Sequence, residues 1–378
     1  MRILLFGPYP SQDGQVTGGV MAVVAALAQA LARNEEDEVA VASAAAGAKD
    51  RLEQEGRIKI YRLGIPRLPR ARGHRRIRRK LIAVAQDFRP HIIHAHGTGY
   101  YAAAALDGSW PVILTAHGVV YEEAKRSGSL GLKDRLAWQY DARLEQKVLQ
   151  RARHVIAISP YIRQAFSAYR HLHWFDIPNP VDDIFWSVAA QPPRETLFTP
   201  ARVIPRKGID LLIQAFITIA DDFPQAMLRI AGEMTTAPAF AGRCQQMAAA
   251  AGITERVHFL GNLDKTRLVQ EYERAAGVVL PARQETAPVA IEEALAAGRP
   301  VIATRVGGIP WMIEHEKNGL LIPPENVPAL ATAMARLLAG GDEVVAWAQN
   351  ARTSAAPYRL HMVAEATRTA YRTLLQTA

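Results

Sequence analysis

The feature that most constrains the fold is a regular alternation of short apolar stretches with longer amphipathic ones. Strands of a parallel sheet are buried on both faces and apolar throughout, and each needs a crossover helix to reach the next. The pattern therefore predicts an α/β fold with doubly wound, mostly parallel sheets. The predicted strands are Ile3–Phe6, Glu38–Ala42, Ile58–Arg62, Ile92–His94, Val112–Thr115, Val155–Ile158, Leu197–Thr199, Met227–Ala231, Val257–Leu260, Gly277–Leu280, Val301–Thr304 and Leu320–Ile322. The helices predicted in the first half are Val20–Ala32, Ile77–Asp87, Tyr100–Leu106, Arg135–Arg151 and Tyr161–Tyr169.

The length of the chain predicts two domains. A chain of 378 residues is longer than one typical domain, and each half is large enough to bury its own core. The proline-rich segment Asn179–Pro193 separates two strand–helix patterns. We therefore expect a first domain of residues 1–183 and a second of residues 184–356.

The composition is that of an ordinary globular protein. The sequence contains no run of about 18 apolar residues, the length needed to span a membrane. The first strand begins too early for a signal peptide. The single cysteine, Cys244, cannot form an internal disulfide. We expect a cytoplasmic protein.

The stretch Ala276–Pro300 places two carboxylates where an α/β sheet binds ligands. A buried strand, Gly277–Leu280, leads into a short loop that ends at Glu285, and Thr286 is expected to cap the helix that carries Glu293. Ligands of such sheets bind at the carboxyl ends of the strands, beside helix N-terminal amides that favour anions. The arrangement suits a ligand with hydroxyl and phosphate groups, such as a nucleotide sugar.

A second motif supplies positive charge. Arg202 and Lys207 lie between the predicted strand Leu197–Thr199 and the next helix. Cleavage of a sugar–diphosphate bond builds negative charge on the leaving oxygens, and fixed cations lower that barrier. Arginine can hold two oxygens at once, whereas lysine acts as a point charge.

Glycines near the N-terminus form a third motif. The loop Gly14–Val20 includes Gly18 and Gly19, which allow backbone amides to approach a phosphate at the start of a helix. The spacing is not that of a dinucleotide-binding loop, so we do not expect a nicotinamide cofactor.

Histidines follow two of the predicted strands. His117 stands at the carboxyl end of an apolar strand and is followed by glycine, which favours a role in a site. His91, His94 and His96 cluster at another strand end, but no cysteine or carboxylate lies at ligand spacing. We expect structural or surface roles for these three, and no metal site.

These motifs resemble those of the retaining GT-B glycosyltransferases, family 4 in particular. Glu285, Glu293 and the Ala-x-Ala-x-Gly-x-Pro that follows resemble the donor-site signature of that family. The run from Arg202 to Lys207-Gly208 resembles Gly-Arg-x-x-x-x-Lys-Gly, with alanine in place of the first glycine. Thr115-Ala116-His117-Gly118 resembles Thr-x-His-Gly. Thr286-Ala287-Pro288 departs from the usual Gly-Phe-Gly, which leaves the identity of the donor open.

The resemblance implies the GT-B architecture, in which two Rossmann-like domains face each other across a cleft. It implies that the first domain handles the acceptor and that a final helix, within residues 357–378, returns to it. It also implies that Glu293 holds the ribose hydroxyls of the nucleotide and Glu285 the hydroxyls of the sugar. The catalytic residues implied are His117, Arg202, Lys207 and Glu285. The donor-binding residues implied are Gly18, Gly19, Gly232, Thr286, Ala287, Val289 and Glu293.

The reaction implied is the transfer of a sugar, hexosyltransferase-like and with retention, from a nucleotide diphosphate donor to an acceptor hydroxyl. The donor would carry UDP or GDP as a co-substrate, with no cofactor and no metal, since Asp182-Asp183 is not the Asp-x-Asp of metal-dependent transferases. The acceptor would be a saccharide or a lipid-linked molecule of a bacterial polysaccharide or glycolipid pathway.

The net charge of +9 is concentrated in one stretch. Arg62–Lys80 contains nine basic residues and no acid. Such a stretch could dock onto an anionic membrane surface, on the inner face of the cell membrane, or contact a phosphorylated acceptor. A solvated loop is the third alternative. Nucleic acid is not expected, because the stretch has a lone aromatic residue, Tyr61, at its edge for base stacking.

Two other functions remain open. A sugar-nucleotide epimerase of GT-B fold would share the nucleotide site but would need acid–base carboxylates. A non-catalytic scaffold on a GT-B frame could be recruited to membranes by the arginine stretch.

Overall fold

A computed structural model of the protein describes residues 1–11, 18–47, 49–65, 70–125, 132–189 and 195–377. This part of the chain forms two compact units. The first unit runs to Pro180 and takes up the chain again at Leu360, and the second comprises Val181–Arg359. The sequence put the two boundaries after residues 183 and 356, a few residues from these positions.

The first unit is built on a sheet of eight strands among the described residues. The strands are β1 (Arg2–Phe6), β2 (Glu38–Ala46), β3 (Arg51–Glu55), β4 (Ile58–Ile65), β5 (Ile92–His96), β6 (Val112–Ala116), β7 (His154–Ala157) and β8 (His173–Asp176). Their order in the sheet is β3-β4-β2-β1-β5-β6-β7-β8. Neighbours are parallel, except for the antiparallel pair β3 and β4. The strand order reverses between β1 and β5, which makes their carboxyl ends the switch point of this sheet.

Helices cover this sheet. They are α1 (Gly19–Ala32), α2 (Arg70–Phe88), α3 (Tyr100–Leu106), α4 (Val120–Lys125), α5 (Leu132–Arg151), α6 (Pro160–Ala165) and the last helix of the chain, α13 (Leu360–Thr377). Their apolar faces and the strands form a continuous core in which Leu5, Leu31, Val41 and Tyr371 are fully buried.

The second unit is built on six strands, within residues 195–377 of the described chain. They are β9 (Thr196–Pro200), β10 (Met227–Ala231), β11 (Val257–Gly261), β12 (Gly277–Leu280), β13 (Val301–Thr304) and β14 (Gly319–Ile322). The sheet is parallel, in the order β11-β10-β9-β12-β13-β14. Its switch point lies between β9 and β12. Its helices are α7 (Ile209–Ile219), α8 (Pro238–Ala250), α9 (Lys265–Arg274), α10 (Val289–Ala296), α11 (Val327–Ala339) and α12 (Asp342–Ser354).

The predicted fold class is confirmed, but two strands were missed. Both β3 and β8 lie at an edge of the first sheet, and their residues are mostly exposed or half-buried. An edge strand need not be apolar, so the apolar pattern does not detect it. Two predicted helix bounds were also wrong, since α2 begins at Arg70 and α6 ends at Ala165.

The last helix is fastened to the first unit by a buried ion pair. Arg368 of α13 donates from Nε to Asp37 Oδ2 at 2.9 Å and from Nη2 to the carbonyl of Leu31 at 2.8 Å. Both charged side chains are buried, at 9% and 5% exposure for Arg368 and Asp37. Because the guanidinium satisfies both a carboxylate and the end of α1, its loss would leave the N-terminal ammonium of Met1 as the one charged partner of Asp37 among the described residues.

We expect Arg368→Met to lower the free energy of unfolding of the first unit by about 2 kcal/mol, because Asp37 and the carbonyl of Leu31 each lose a charged hydrogen-bond donor in a buried place. Urea denaturation followed by fluorescence measures this. The matched control is Arg372→Met on the same helix, whose partner Glu365 is exposed, and we expect a change below about 1 kcal/mol there. Equal losses in the two variants would contradict the role assigned to the Arg368 pair.

Candidate active site

The charged motifs of the sequence meet at the switch point of the second sheet. The loop after β9 carries Arg202 and Lys207, and the loop after β12 carries Glu285. These two strands are neighbours, with Val278 paired to Phe198. The two loops therefore leave the sheet side by side at its carboxyl edge, where α/β sheets bind ligands.

Lys207 and Glu285 form an ion pair in which the Lys207 amine donates to Oε1 of the carboxylate. Arg206 adds a second cation, with Nη1 at 3.7 Å from Glu285 Oε2. Burial raises the pKa of the Glu285 carboxyl, but the charges of Lys207 and Arg206 outweigh it and hold that pKa below its ordinary value. Burial also lowers the pKa of the Lys207 amine, although Glu285 opposes the shift. The pair thus holds opposite charges together in a poorly solvated place.

Arg202 lies close enough to this pair for its charge to lower the pKa of Glu285 and of Lys207. Within the described part of the chain its guanidinium makes no hydrogen bond. Its donors are therefore available for an anion. Arg206, which the sequence analysis assigned no role, is held instead by Gln284, whose carbonyl and side-chain oxygen accept at 3.1 and 3.0 Å.

Two glycines shape the loops around the charged cluster. A Cβ atom at Gly232 would lie 2.2 Å from the carbonyl oxygen of Ala201, so the loop after β10 presses against the backbone next to Arg202. Gly307 has φ +51, and a Cβ there would lie 1.6 Å from the carbonyl oxygen of Glu285. Only glycine permits such approach. Gly232, expected to bind the donor, therefore has a packing role that its sequence position did not show.

Glu293 lies on α10, the helix that follows the loop of Glu285. Its Oε2 accepts a hydrogen bond from the hydroxyl of Tyr272 at 2.8 Å. Burial raises the pKa of the Glu293 carboxyl to about 7, and the hydrogen bond from Tyr272 only partly opposes this. Tyr272 was missed by the sequence analysis, because a buried tyrosine on a helix has no pattern that separates it from an ordinary core residue.

The start of α10 differs from the prediction. Its N-cap is Pro288, which makes no side-chain cap, so the expectation that Thr286 caps this helix is wrong. Thr286 and Ala287 are instead buried, with 4% and 9% exposure, and Val289 is the first residue of the helix. Proline cannot donate an amide, and its fixed φ suits the entry to a helix.

In the first unit, His117 follows β6 and contacts another histidine. Its Nε2 lies 3.0 Å from Nδ1 of His96, the last residue of β5, and the two rings are stacked. The ring of His96 also stacks on that of His94. Burial lowers the pKa of His117 to about 4 and that of His94 to about 3, and it lowers the pKa of His96 as well. All three imidazoles are therefore neutral at pH 7.

The segments that follow β5 and β6 are tied together by Glu145 of α5. Its Oε2 accepts from the Thr98 hydroxyl at 2.8 Å and from the backbone N–H of Val120 at 3.2 Å. Burial raises the pKa of this carboxyl. Glu145 could not be selected from the sequence, since one acid on a mixed helix carries no distinguishing pattern.

Gly18 and Gly19 are exposed at the N-terminus of α1. A Cβ at Gly18 would meet nothing within 4 Å, so packing among the described residues does not demand glycine there. The rest of the predicted loop, residues 14–17, lies outside the described residues.

The described residues of the basic stretch Arg62–Lys80 lie in the strand β4 and the helix α2. Arg62 is buried in β4, where Nη1 donates to the carbonyl of Tyr9 at 2.9 Å. Residue 67 lies outside the described residues, as do the side chains of residues 70 and 72. Arg78 and Lys80 pair with Asp107 and Asp50.

Two apolar residues of α2 face inwards. Ile77 and Leu81 of α2 are fully buried in the first unit, so they cannot also insert into a membrane. The outward face of α2 is basic, with exposed side chains at Arg75, Arg76 and Arg79.

The described residues form neither a metal-ligand cluster nor a membrane-spanning helix. No group of three or more His, Cys, Asp or Glu in this part of the chain is arranged to hold a metal ion. No helix there is both long enough and apolar enough to cross a bilayer.

We expect Glu293→Gln to remove a pH dependence of stability. Because burial raises the pKa of Glu293 to about 7 in the folded protein, the native state holds its proton at pH values where the unfolded chain has released it. The contribution of Glu293 to stability is therefore lost as the pH rises from about 4.5 to about 7, so the wild type loses stability relative to the glutamine variant over that range. Urea denaturation at the two ends of that range checks this. Exposed Glu255→Gln is the matched control, and identical pH dependence in all three proteins would contradict the assignment.

Known proteins resemble the chain over both units. Residues 17–184 match the family described as Glycosyltransferase Family 4, and residues 181–354 match Glycosyl transferases group 1. The D-inositol 3-phosphate glycosyltransferase of Corynebacterium urealyticum is 32% identical over 173 residues, which are 44% of this chain and 40% of that protein. The matches to curated relatives thus span less than half the length of those proteins.

Solved structures show the same fold. Sucrose-phosphate synthase from Thermosynechococcus elongatus superposes with a TM-score of 0.84 and 23% identity over all of both chains. Anabaena HepE in complex with UDP and glucose gives a TM-score of 0.76 and 18% identity, over 97% of this chain and 98% of that one. Both units are thus covered by family matches and by structures of one architecture. The chain belongs to the group 1, family 4 glycosyltransferases and has their GT-B fold.

Proposed function

We propose that the protein transfers a sugar, with retention of configuration, from a nucleotide diphosphate donor to the hydroxyl of an acceptor. The observation that carries the proposal is the cluster of Arg202, Lys207 and Glu285 at the switch point of the second sheet. The cluster contains cations that can bind a diphosphate and a carboxylate that can accept hydrogen bonds from sugar hydroxyls. These groups lie on loops that follow adjacent strands.

The cations act on the leaving group. As the bond between the anomeric carbon and the phosphate oxygen breaks, negative charge grows on the diphosphate, and preorganised cations stabilise it. Arg202 has free donors for this role. Lys207 exchanges its contact with Glu285 for a phosphate oxygen, so its buried charge stays compensated. Glu285 is then released to accept hydrogen bonds from the sugar.

The ionisation state of Glu285 favours attack by the acceptor on the face of the sugar from which the diphosphate leaves. Its pKa is held below the ordinary value by Lys207 and Arg206, which makes it a weak base. In the proposed reaction the acceptor oxygen bonds to the anomeric carbon, and its proton passes to the leaving phosphate oxygen. Charge neutralisation by Arg202 and Lys207 stands where a metal ion would otherwise act, so we propose no metal and no other cofactor.

The nucleotide is proposed to bind beside α10. Glu293 accepts from the ribose hydroxyls with the oxygen that Tyr272 does not hold. The backbone of Thr286, Ala287 and Val289 contacts the donor, as do Gly18, Gly19 and the loop of Gly232. His117 assists near the anomeric carbon, a role that rests on the family resemblance. UDP and GDP are the proposed bases, and the complex of HepE with UDP and glucose supports the former.

A saccharide or lipid-linked acceptor in a bacterial polysaccharide or glycolipid pathway is part of the proposal. It is supported by the relative named D-inositol 3-phosphate glycosyltransferase. We propose that the protein works in the cytoplasm, and that the exposed arginines of α2 hold it at an anionic membrane surface by charge alone.

We expect one nucleotide among UDP, GDP and ADP to raise the melting temperature of the wild type but not of Lys207→Met. A ligand at ~100 times its Kd stabilises the folded state by about 2.7 kcal/mol, and the variant lacks the cation that holds the diphosphate. Lys317→Met is the matched control, because Lys317 is an exposed lysine paired with Glu314 in the same unit. If no nucleotide at millimolar concentration raised the melting temperature of the wild type, the proposed donor site would be contradicted and the non-catalytic scaffold would be favoured.

We expect slow hydrolysis of the donor, without acceptor, to release a sugar with the anomeric configuration of the donor, because water attacks the face that the diphosphate leaves. Proton NMR recorded early in the reaction distinguishes the anomers. An inverted anomer would overturn retention. A donor whose sugar is epimerised would support the epimerase instead.

A further inference from the structure

His96 occupies a position that structural packing alone does not explain. It is the last residue of β5, at the switch point of the first sheet, and its side chain is 3% exposed. Its ring stands between two others, with centroids 4.2 Å from that of His94 and 5.3 Å from that of His117. A core site of this kind is ordinarily filled by an apolar side chain.

The contact between His96 and His117 contains one proton. The atoms concerned, Nδ1 of His96 and Nε2 of His117, are 3.0 Å apart. A neutral imidazole has one N–H and one lone pair, and burial keeps both rings neutral at pH 7. Two arrangements satisfy the contact. Either His96 donates from Nδ1, or His117 donates from Nε2.

The other nitrogen of His96 decides between the two. His96 Nε2 is buried, and it makes no hydrogen bond to any part of the chain that the structure describes. If His117 donated, His96 would carry its proton on Nε2 and leave a buried N–H without an acceptor. If His96 donates from Nδ1, its Nε2 atom carries a lone pair and no proton. Orphaned buried N–H groups are the rarer of the two in proteins, so the second arrangement is favoured.

The ring of His94, which stacks on that of His96, is held by hydrogen bonds. His94 has both nitrogens within hydrogen-bond distance of hydroxyls, 2.7 Å to Tyr371 and 2.6 Å to Thr115. Its ring is therefore fixed in orientation, and it supports the stacked ring of His96. Glu145 holds together the segments that follow β5 and β6. The chain of contacts from α13 to His117 is continuous.

We propose that His96 is a positioning residue that fixes His117 as the tautomer protonated on Nδ1, so that His117 meets its ligand as a hydrogen-bond donor. Nε2 of His117 is occupied by the His96 proton. Nδ1 makes no hydrogen bond within the described residues, and the side chain is only partly buried. The group offered is thus an N–H, which suits a hydroxyl oxygen of a sugar. The choice of ligand rests on the proposed function, whereas the tautomer does not.

A consequence is that His117 does not act as a base. Its Nε2 lone pair is engaged by His96, and its Nδ1 has no lone pair to give. Loss of the His96 donor frees the ring to adopt either tautomer and to rotate, which weakens the hydrogen bond to the ligand without removing the histidine.

The direct test is NMR on the full-length protein with isotope-labelled histidine rings, without any ligand, at pH 7. Long-range proton–nitrogen correlations identify which nitrogen of a neutral ring is protonated, and His117→Gln assigns the His117 signals by their disappearance. We expect both His117 and His96 to be protonated on Nδ1. Protonation of either ring on Nε2 alone would overturn the proposal, whatever the protein transfers or binds.

The second test compares two replacements of His96. Asparagine can place an amide N–H close to the position of Nδ1, whereas leucine cannot donate. We expect His96→Leu to lower kcat for donor turnover about 10-fold or more, with a nearly unchanged KM and an unchanged thermal shift by the nucleotide, and His96→Asn to restore most of the rate. His117 in the leucine variant should show mixed tautomers.

Equal loss of rate in both variants, with His117 tautomers unchanged, would overturn the positioning role. If no nucleotide binds the wild type, the proposed function fails, yet the NMR result still decides the tautomer. If the leucine variant does not fold, the wild-type spectrum and the asparagine variant decide it.

Discussion

The ion pair of Lys207 with Glu285 is the interaction on which the site of the second unit depends. Each charge would be costly to bury alone, and removing one partner of such a pair destabilises a protein by several kcal/mol. In the proposed donor complex, a diphosphate would compensate the charge of Lys207, and sugar hydroxyls would donate hydrogen bonds to Glu285. The free protein and the proposed donor complex would therefore each keep both charged side chains partnered. The fold makes both reachable, because β9 and β12 are neighbours in the sheet.

The two units present different chemistry at comparable places. At the carboxyl edge of the second sheet, Arg202, Arg206 and Lys207 gather positive charge around one carboxylate. At the carboxyl edge of the first, burial keeps the histidines neutral. Fixed cations suit a ligand group whose charge grows during reaction. Neutral, oriented donors suit hydroxyls, which need direction more than charge.

Alternation of apolar and amphipathic stretches was sufficient to predict the fold class and most strands, because buried parallel strands cannot be polar. It failed at β3 and β8, where an edge position relaxes that requirement. Arg202, Lys207, Glu285 and Glu293 could be selected by spacing and family resemblance. Three other features could not be selected in this way, because each depends on contacts between different elements of the fold. They are the hydrogen bond of Tyr272 to Glu293, the hydrogen bonds of Glu145 and the proposed role of His96. The packing role of Gly232 likewise depends on how closely two loops approach.

The ion pair of Arg368 with Asp37 holds α13 in the first unit. The second unit is therefore an insertion within the first. The chain enters the second unit at Val181 and leaves it at Arg359, and these two residues form a bridge. The second unit thus has its ends together and all of its strands contiguous in sequence. During synthesis it can fold while the first unit still lacks α13. The first unit is therefore completed last although its synthesis begins first, and a nascent chain released before α13 is made would keep its second unit intact.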